Sequence, residues 1–183
     1  MYKSLSFVAL AAALLTSACQ EPLDATTAES SAVLDTEWSE VHQAAWDLVA
    51  SSRHVTLITL DGAGHPQARI LDATPPDSGQ FVIWMGTNRN SAKVQEIQND
   101  ARATLYYQAP NGGGYVTLRG MATMVDDLEM KERYWRPSWA SFYPDREAMF
   151  MLIRFEPENG EVVSFADGLL GDSLTWAAPE FRF

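Results

Sequence analysis

Two pairs of alternating segments, each closed by a glycine-bearing turn, most constrain what this chain can fold into. In the first, "HVTLITL" (54–60) and "PQARILDA" (66–73) flank "DGAG". In the second, "RATLYYQA" (102–109) and "YVTLRGMATMV" (115–125) flank "PNGGG". β-Branched and aromatic residues dominate each arm, so each pair predicts an antiparallel hairpin. "QFVIWMGT" (80–87) predicts a further strand, and "AMFMLIRFEPENGEVVSF" (148–165) two more. Six or seven short strands with few helices predict a mainly β domain with flanking helices (α+β), built as an antiparallel barrel or sandwich. The barrel is preferred, because Gly86, the glycines at 112–114 and Gly120 fall where strands would bend or turn. The stretch from Phe165 to Arg182 carries no strong periodicity.

Helices are expected at three places. One starts near Thr36, with Trp38, Val41, Ala45 and Leu48 along one face. Another is "DDLEMKERYW" (126–135), which Asp126 and Asp127 open as capping residues suited to the helix dipole. The third follows the strand "FVIWMG" at "TNRNSAKVQEIQND" (87–100), where Val94 and Ile97 lie one turn apart and Asn90 or Ser91 offers the N-cap. Arg89 and Lys93 flank that start, although a helix N-terminus already carries partial positive charge. Two answers are open: the cations point into water or pair with the abundant carboxylates, or an anion binds there. A phosphate at that end would meet free backbone N–H groups, Asn90, Ser91 and Lys93. Arg69, at an alternating position among apolar neighbours of "PQARILDA", also requires a partner.

The chain is acidic, with 13 Lys+Arg against 24 Asp+Glu for a net charge of −11. That balance repels phosphate backbones and anionic lipid, and so counts against nucleic acid and an electrostatic membrane partner. The first residues, "MYKSLSFVALAAALLTSACQ", place Lys3 before an apolar run too short to span a bilayer, which predicts a leader over 1–18. "LTSAC" resembles the lipobox of bacterial lipoproteins, with Thr16 where Leu is usual. Cys19 is the only cysteine, so lipidation gives that thiol a role, and acyl chains at about 0.8 kcal/mol per buried methylene would hold the protein on a membrane. Gln20 after it resembles an outer-membrane sorting signal, which implies a periplasm-facing protein of the bacterial cell envelope. Residues 19–35 read as a tether with a reach of roughly 20 Å, and 36–183 as one domain.

Several chemistries have no starting point. His42, His54 and His65 lack ligand-spaced partners, and a second cysteine is missing, so no zinc or haem site is indicated. No Walker loop, GxGxxG or GxSxG occurs, and "NGGG" lacks a following helix. The aromatic run "YWRPSWASFYP" (134–144) fits core or interface, and also a surface on which a flat ligand stacks.

From about Trp46 to Phe165 the chain resembles the pyridoxamine 5′-phosphate oxidase-like family of flavin-binding split β-barrels, in particular its general-stress-protein-26-type branch. The resemblance lies in an ordered set: a hairpin with "ARIL", a strand with "IWMGT", then "SAKVQEIQNDARATLYY", then "YVTLRGMATMV" and an acidic "DD". It implies a homodimer with FMN at the interface. Arg69 and Lys93 would be the phosphate cations, with Ser91 donating beside Lys93. Ile70 and Leu71 would lie under the isoalloxazine, whose ring meets the segment from Trp84 to Thr87. Gln108 would reach the flavin from the partner's strand. The family's vitamin B6 oxidases carry an Arg-x-His motif near the C-terminus, whereas this chain ends "DSLTWAAPEFRF", with Arg182 and no matching histidine. Trp176 is a candidate cover for a ligand. The expected function is a membrane-anchored FMN-dependent oxidoreductase with no acid or base assigned; the alternatives are a non-catalytic flavin carrier and an interaction domain that has lost its ligand. Relatives of this fold also allow a deazaflavin, haem or no cofactor.

Overall fold

Both hairpins form. The computed structural model describes residues 40–77 and 81–183; the expected leader, Cys19, the tether and Trp38 lie outside them. A first helix, α1 (40–51), leads into β1 (His54–Leu60), which pairs antiparallel with β2 (Pro66–Asp72) along their whole length. The Asp61 carboxylate holds their turn by accepting from the amides of Ala63 and His65, each at 2.9 Å. After β3 (Ile83–Asn88) and the helix α2 (Ala92–Asn99), β4 (Arg102–Gln108) and β5 (Gly114–Val125) make the second hairpin. Together with β6 (Phe150–Ser164) and β7 (Glu180–Arg182) they build one seven-stranded antiparallel sheet, ordered β2-β1-β4-β5-β6-β3, with β7 on β6.

The sheet curls until its two edge strands meet at one point. Ala73 bridges Met85, and the Thr74 amide donates to the Trp84 carbonyl at 2.8 Å. Among the described residues no ladder joins β2 to β3 beyond that point, so the barrel is split, as a mainly antiparallel sheet with few helices.

β6 differs from the sequence expectation. "FMLIRFEPENGEVVS" is one 15-residue strand, not two. Pro157 lies opposite Gly120 and Asn159 opposite Arg119, which leaves Glu158 as an extra residue in a bulge. A Cβ on Gly120 would sit 2.1 Å from the Glu156 carbonyl oxygen, so glycine alone lets the strands approach there. The turn-like residues therefore bend the strand without ending it. β7, in the stretch without periodicity, is three residues long and still buries Phe181 to 2% exposure.

Burial alternates along β1, β4 and β5, and their inner residues, with Ile153 and Phe155 of β6, form the main core. α1 adds Ala45 and Val49 to it, and α2 adds Ile97. A second cluster holds Trp84, Tyr134, Trp139, Phe150 and Leu152. β6 lies between the two clusters, which explains why Phe150, Met151, Leu152 and Ile153 are all buried in succession. The second cluster is roofed by α3 (Leu128–Arg133), a 3-10 turn (Pro137–Trp139) and α4 (Arg146–Met149). Asp127 caps α3 by accepting from the Met130 amide at 3.0 Å, as the sequence predicts. The 3-10 turn and α4 are too short for a hydrophobic period to announce them.

Candidate functional site

Where β2 and β3 part, a cleft of about 570 Å³ opens, within the usual size for small-molecule sites. β2 supplies Ile70, Leu71 and Asp72; β3 supplies Gly86, Thr87 and Asn88; α2 supplies Lys93. Arg53 and His54 enter from the start of β1. Trp139, Phe142 and Tyr143 form the far wall. Gly86 has a local reason to be glycine: a Cβ there would lie 2.8 Å from the Trp139 ring and 2.9 Å from Phe150. The indole packs directly on the β3 backbone. The run "YWRPSWASFYP" thus divides, with Tyr134 stacked on Trp84 at 4.5 Å in the second cluster and Phe142 exposed on the rim.

The start of α2 lacks a side-chain cap. Ser91 is its N-cap in extended conformation, and no acidic residue sits in the first turn. The Ser91 hydroxyl instead donates to the Asn88 carbonyl at 2.7 Å and lies 3.2 Å from the Thr87 hydroxyl. Lys93 is half-buried, lines the cleft, and has no carboxylate within ion-pair distance among the described residues. Burial lowers its pKa, the Arg69 charge lowers it further, and Glu96 opposes both. Arg89 pairs with a carboxylate, the first of the two open answers: its partner is Asp126, which also accepts from the buried Lys131 at 2.8 Å.

Arg69 is engaged away from the cleft lining through both terminal nitrogens. Its guanidinium reaches Glu96 at 2.7 Å, the Gln67 carbonyl at 2.8 Å and the Thr59 hydroxyl. Of the other expected site residues, Ile70, Leu71, Thr87 and Lys93 come together in the cleft. Trp84 is buried behind Tyr134, and Gln108 is exposed at the far end of β4, opposite Tyr115.

Asp72 is the residue that sequence reasoning passes over. Its carboxylate accepts from the Trp139 indole N–H at 2.8 Å, from Arg136 at 2.8 Å and from Arg53 at 3.2 Å, while Arg136 also donates to the Ala73 carbonyl at 2.6 Å. Burial acts to raise its pKa, but the Arg53 and Trp139 hydrogen bonds and the charges of Arg136 and Arg53 outweigh burial and hold the carboxyl below its usual range. Its one sequence signal is an aspartate ending an apolar strand run, and two of its partners, Arg136 and Trp139, lie more than sixty positions away.

This fold has known counterparts. Residues 40–175 match the model of the family described as pyridoxamine 5′-phosphate oxidase like. A pyridoxine/pyridoxamine 5′-phosphate oxidase of Mesorhizobium japonicum is 34% identical over 80 residues, a match spanning 44% of this chain and 38% of that enzyme. A Clostridium acetobutylicum protein related to general stress protein 26 superposes with a TM-score of 0.61 at 21% identity, over 75% of this chain and 90% of its own. The general stress FMN/FAD binding protein of Xanthomonas citri gives 0.59 at 21%, over 70% and 89%. The family match runs from α1 through the cleft residues of β2, β3 and α2 to the wall at Trp139 and beyond. This chain belongs to the pyridoxamine 5′-phosphate oxidase-like family.

Proposed function

We propose that the chain binds FMN in the cleft and works as a homodimeric, flavin-dependent oxidoreductase tethered to the bacterial envelope by lipid on Cys19. The observation that carries this reading is the pairing of an uncapped α2 start and a Lys93 without a carboxylate partner among the described residues, at one end of a cleft with apolar walls. Those residues fit a phosphate joined to a planar ring. Lys93 and the first α2 amides would hold the phosphate, while Ile70, Leu71 and the Trp139 and Phe142 rings would shield the ring system from water. A bound flavin supplies the redox chemistry; the protein positions it. The X. citri neighbour, described as FMN/FAD binding, supports the choice of cofactor. Gln108 sits outside the cleft of its own chain, which agrees with its reaching a flavin across a dimer. Ile70 and Phe142, 71% and 70% exposed on the rim, are apolar surface that a second copy would cover.

The deciding experiment purifies residues 20–183 made in the cytoplasm, records the visible spectrum and identifies what heat releases. A yellow protein releasing FMN is expected, and oxidation of a reduced nicotinamide or quinol by it separates enzyme from carrier. A colourless protein that also refuses added FMN sinks both. For the anchor, the full chain is expected to enter the detergent phase on Triton X-114 partition and Cys19→Ala to leave it.

A further inference from the structure

Resting on the flavin reading above, we infer that Glu96 sets the ligand preference of the cleft by occupying Arg69, so that the site discriminates little between a flavin that carries a phosphate and one that does not. Arg69 meets α2 at Glu96, three residues after Lys93, and two free cations at that end of the helix would together favour a phosphate strongly. The structure does not leave both free. Glu96 lies on α2 within one turn of Lys93, and its Oε2 accepts from Arg69 Nη2 at 2.7 Å and from the Thr59 hydroxyl at 2.5 Å. Thr59 itself is 1% exposed, and the Arg69 and Glu96 side chains are 22% and 11% exposed. The second nitrogen of the fork is taken up by Thr59 and the Gln67 carbonyl.

An incoming phosphate gains little by drawing Arg69 out of this knot. Each bond it formed would replace one already made, and Glu96 would be left mostly buried without its cation, which is the unfavourable half of breaking a buried pair. The three charges Arg69, Glu96 and Lys93 sum to a single positive charge, against nearly two negative charges on an ionised phosphate monoester. Lys93 and the α2 amides then act alone. Glu96 is therefore a specificity-determining residue: its charge removes from the phosphate site the cation that position 69 would otherwise provide.

The test is flavin fluorescence titration with FMN and with riboflavin on the wild-type protein, E96Q and R69Q/E96Q. The E96Q change keeps the side chain's size and an acceptor oxygen for Arg69, so only the charge is lost. The wild type is expected to bind FMN and riboflavin within about tenfold of each other. E96Q is expected to raise the FMN-over-riboflavin ratio by about tenfold, the scale of one charge-assisted hydrogen bond. R69Q/E96Q is expected to return within about threefold of the wild type, because the pair is removed as a neutral unit. An unchanged ratio in E96Q overturns the inference while leaving the flavin reading intact, as does a double variant whose ratio departs from the wild type's by well over about threefold. If E96Q fails to fold, the wild-type ratio decides: a preference for FMN within about tenfold supports the inference, and a larger one overturns it. If neither flavin binds the wild type or either variant, the flavin reading falls and takes the inference with it.

Discussion

The two ends of the cleft treat positive charge in opposite ways. At one end Arg53 and Arg136 converge on Asp72, together with the Trp139 indole, and each of these donors has an internal acceptor. At the other end Lys93 stands beside an uncapped helix start, with no carboxylate on it among the described residues. The first arrangement fixes a wall: it ties β2 to the 3-10 turn and holds the indole against Gly86. The second leaves Lys93 without an ion-pair partner among the described residues, with Glu96 offsetting its charge only in part. A cation satisfied from inside builds structure, whereas one left unsatisfied beside an apolar surface is available to a ligand. Arg69 lies between these cases, near the open end yet closed by Glu96.

The comparison implies that substitutions at the Asp72 end cost stability and those at the Lys93 end cost binding. The largest effect is expected for Trp139→Ala, which empties a 5%-exposed indole site and strips a donor from Asp72; urea unfolding should show a loss of about 3–5 kcal/mol. Asp72→Asn follows at about 1–3 kcal/mol, since it leaves two guanidinium groups without their counter-charge. The same residue gives a pH signature. Its folded pKa is depressed, so its stabilisation is present above the unfolded-state value of about 4 and is lost as pH falls through the lower folded value. Acid titrations followed by circular dichroism should accordingly show less destabilisation below about pH 4 in Asp72→Asn than in the wild type. Gly86→Ala should cost about 1–3 kcal/mol by pressing on Trp139 and Phe150. Lys93→Ala should leave the unfolding free energy within about 0.5 kcal/mol of wild type, yet weaken FMN roughly tenfold or more. A Lys93 variant that unfolds early but keeps its flavin affinity would break the comparison outright.

The strands are legible wherever alternation is clean. β1, β2, β4 and β5 can be read from their own residues, because a half-buried strand repeats every second position. β6 reads as two strands because Pro157, Asn159 and Gly160 are turn residues in isolation, and only the neighbouring Gly120 shows that the chain bends and continues. The site is legible in its local part. The α2 start and Lys93 lie within one short segment, and the unbalanced charge there can be seen in those few residues alone. Arg69 marks its need for a partner without naming Glu96, since a strand residue and a helix residue 27 positions apart show no periodic link. Asp72 and Trp139 each belong to a recognisable segment, but their hydrogen bond spans 67 positions and exists only because the sheet curls.

That curl has a consequence for motion. Among the described residues β2 is laddered only to β1 and β3 only to β6, and the contact of Ala73 and Thr74 with Met85 and Trp84 fastens one edge to the other. Beside that contact the two strands part around the cleft and no longer pair with each other. Hydrogen exchange there should be faster than in β4 or β5, which have neighbours on both sides. A molecule seated in the cleft would touch both edges at once and so act as the missing rung. Its departure would then be governed less by the depth of the pocket than by how often two strands drift apart.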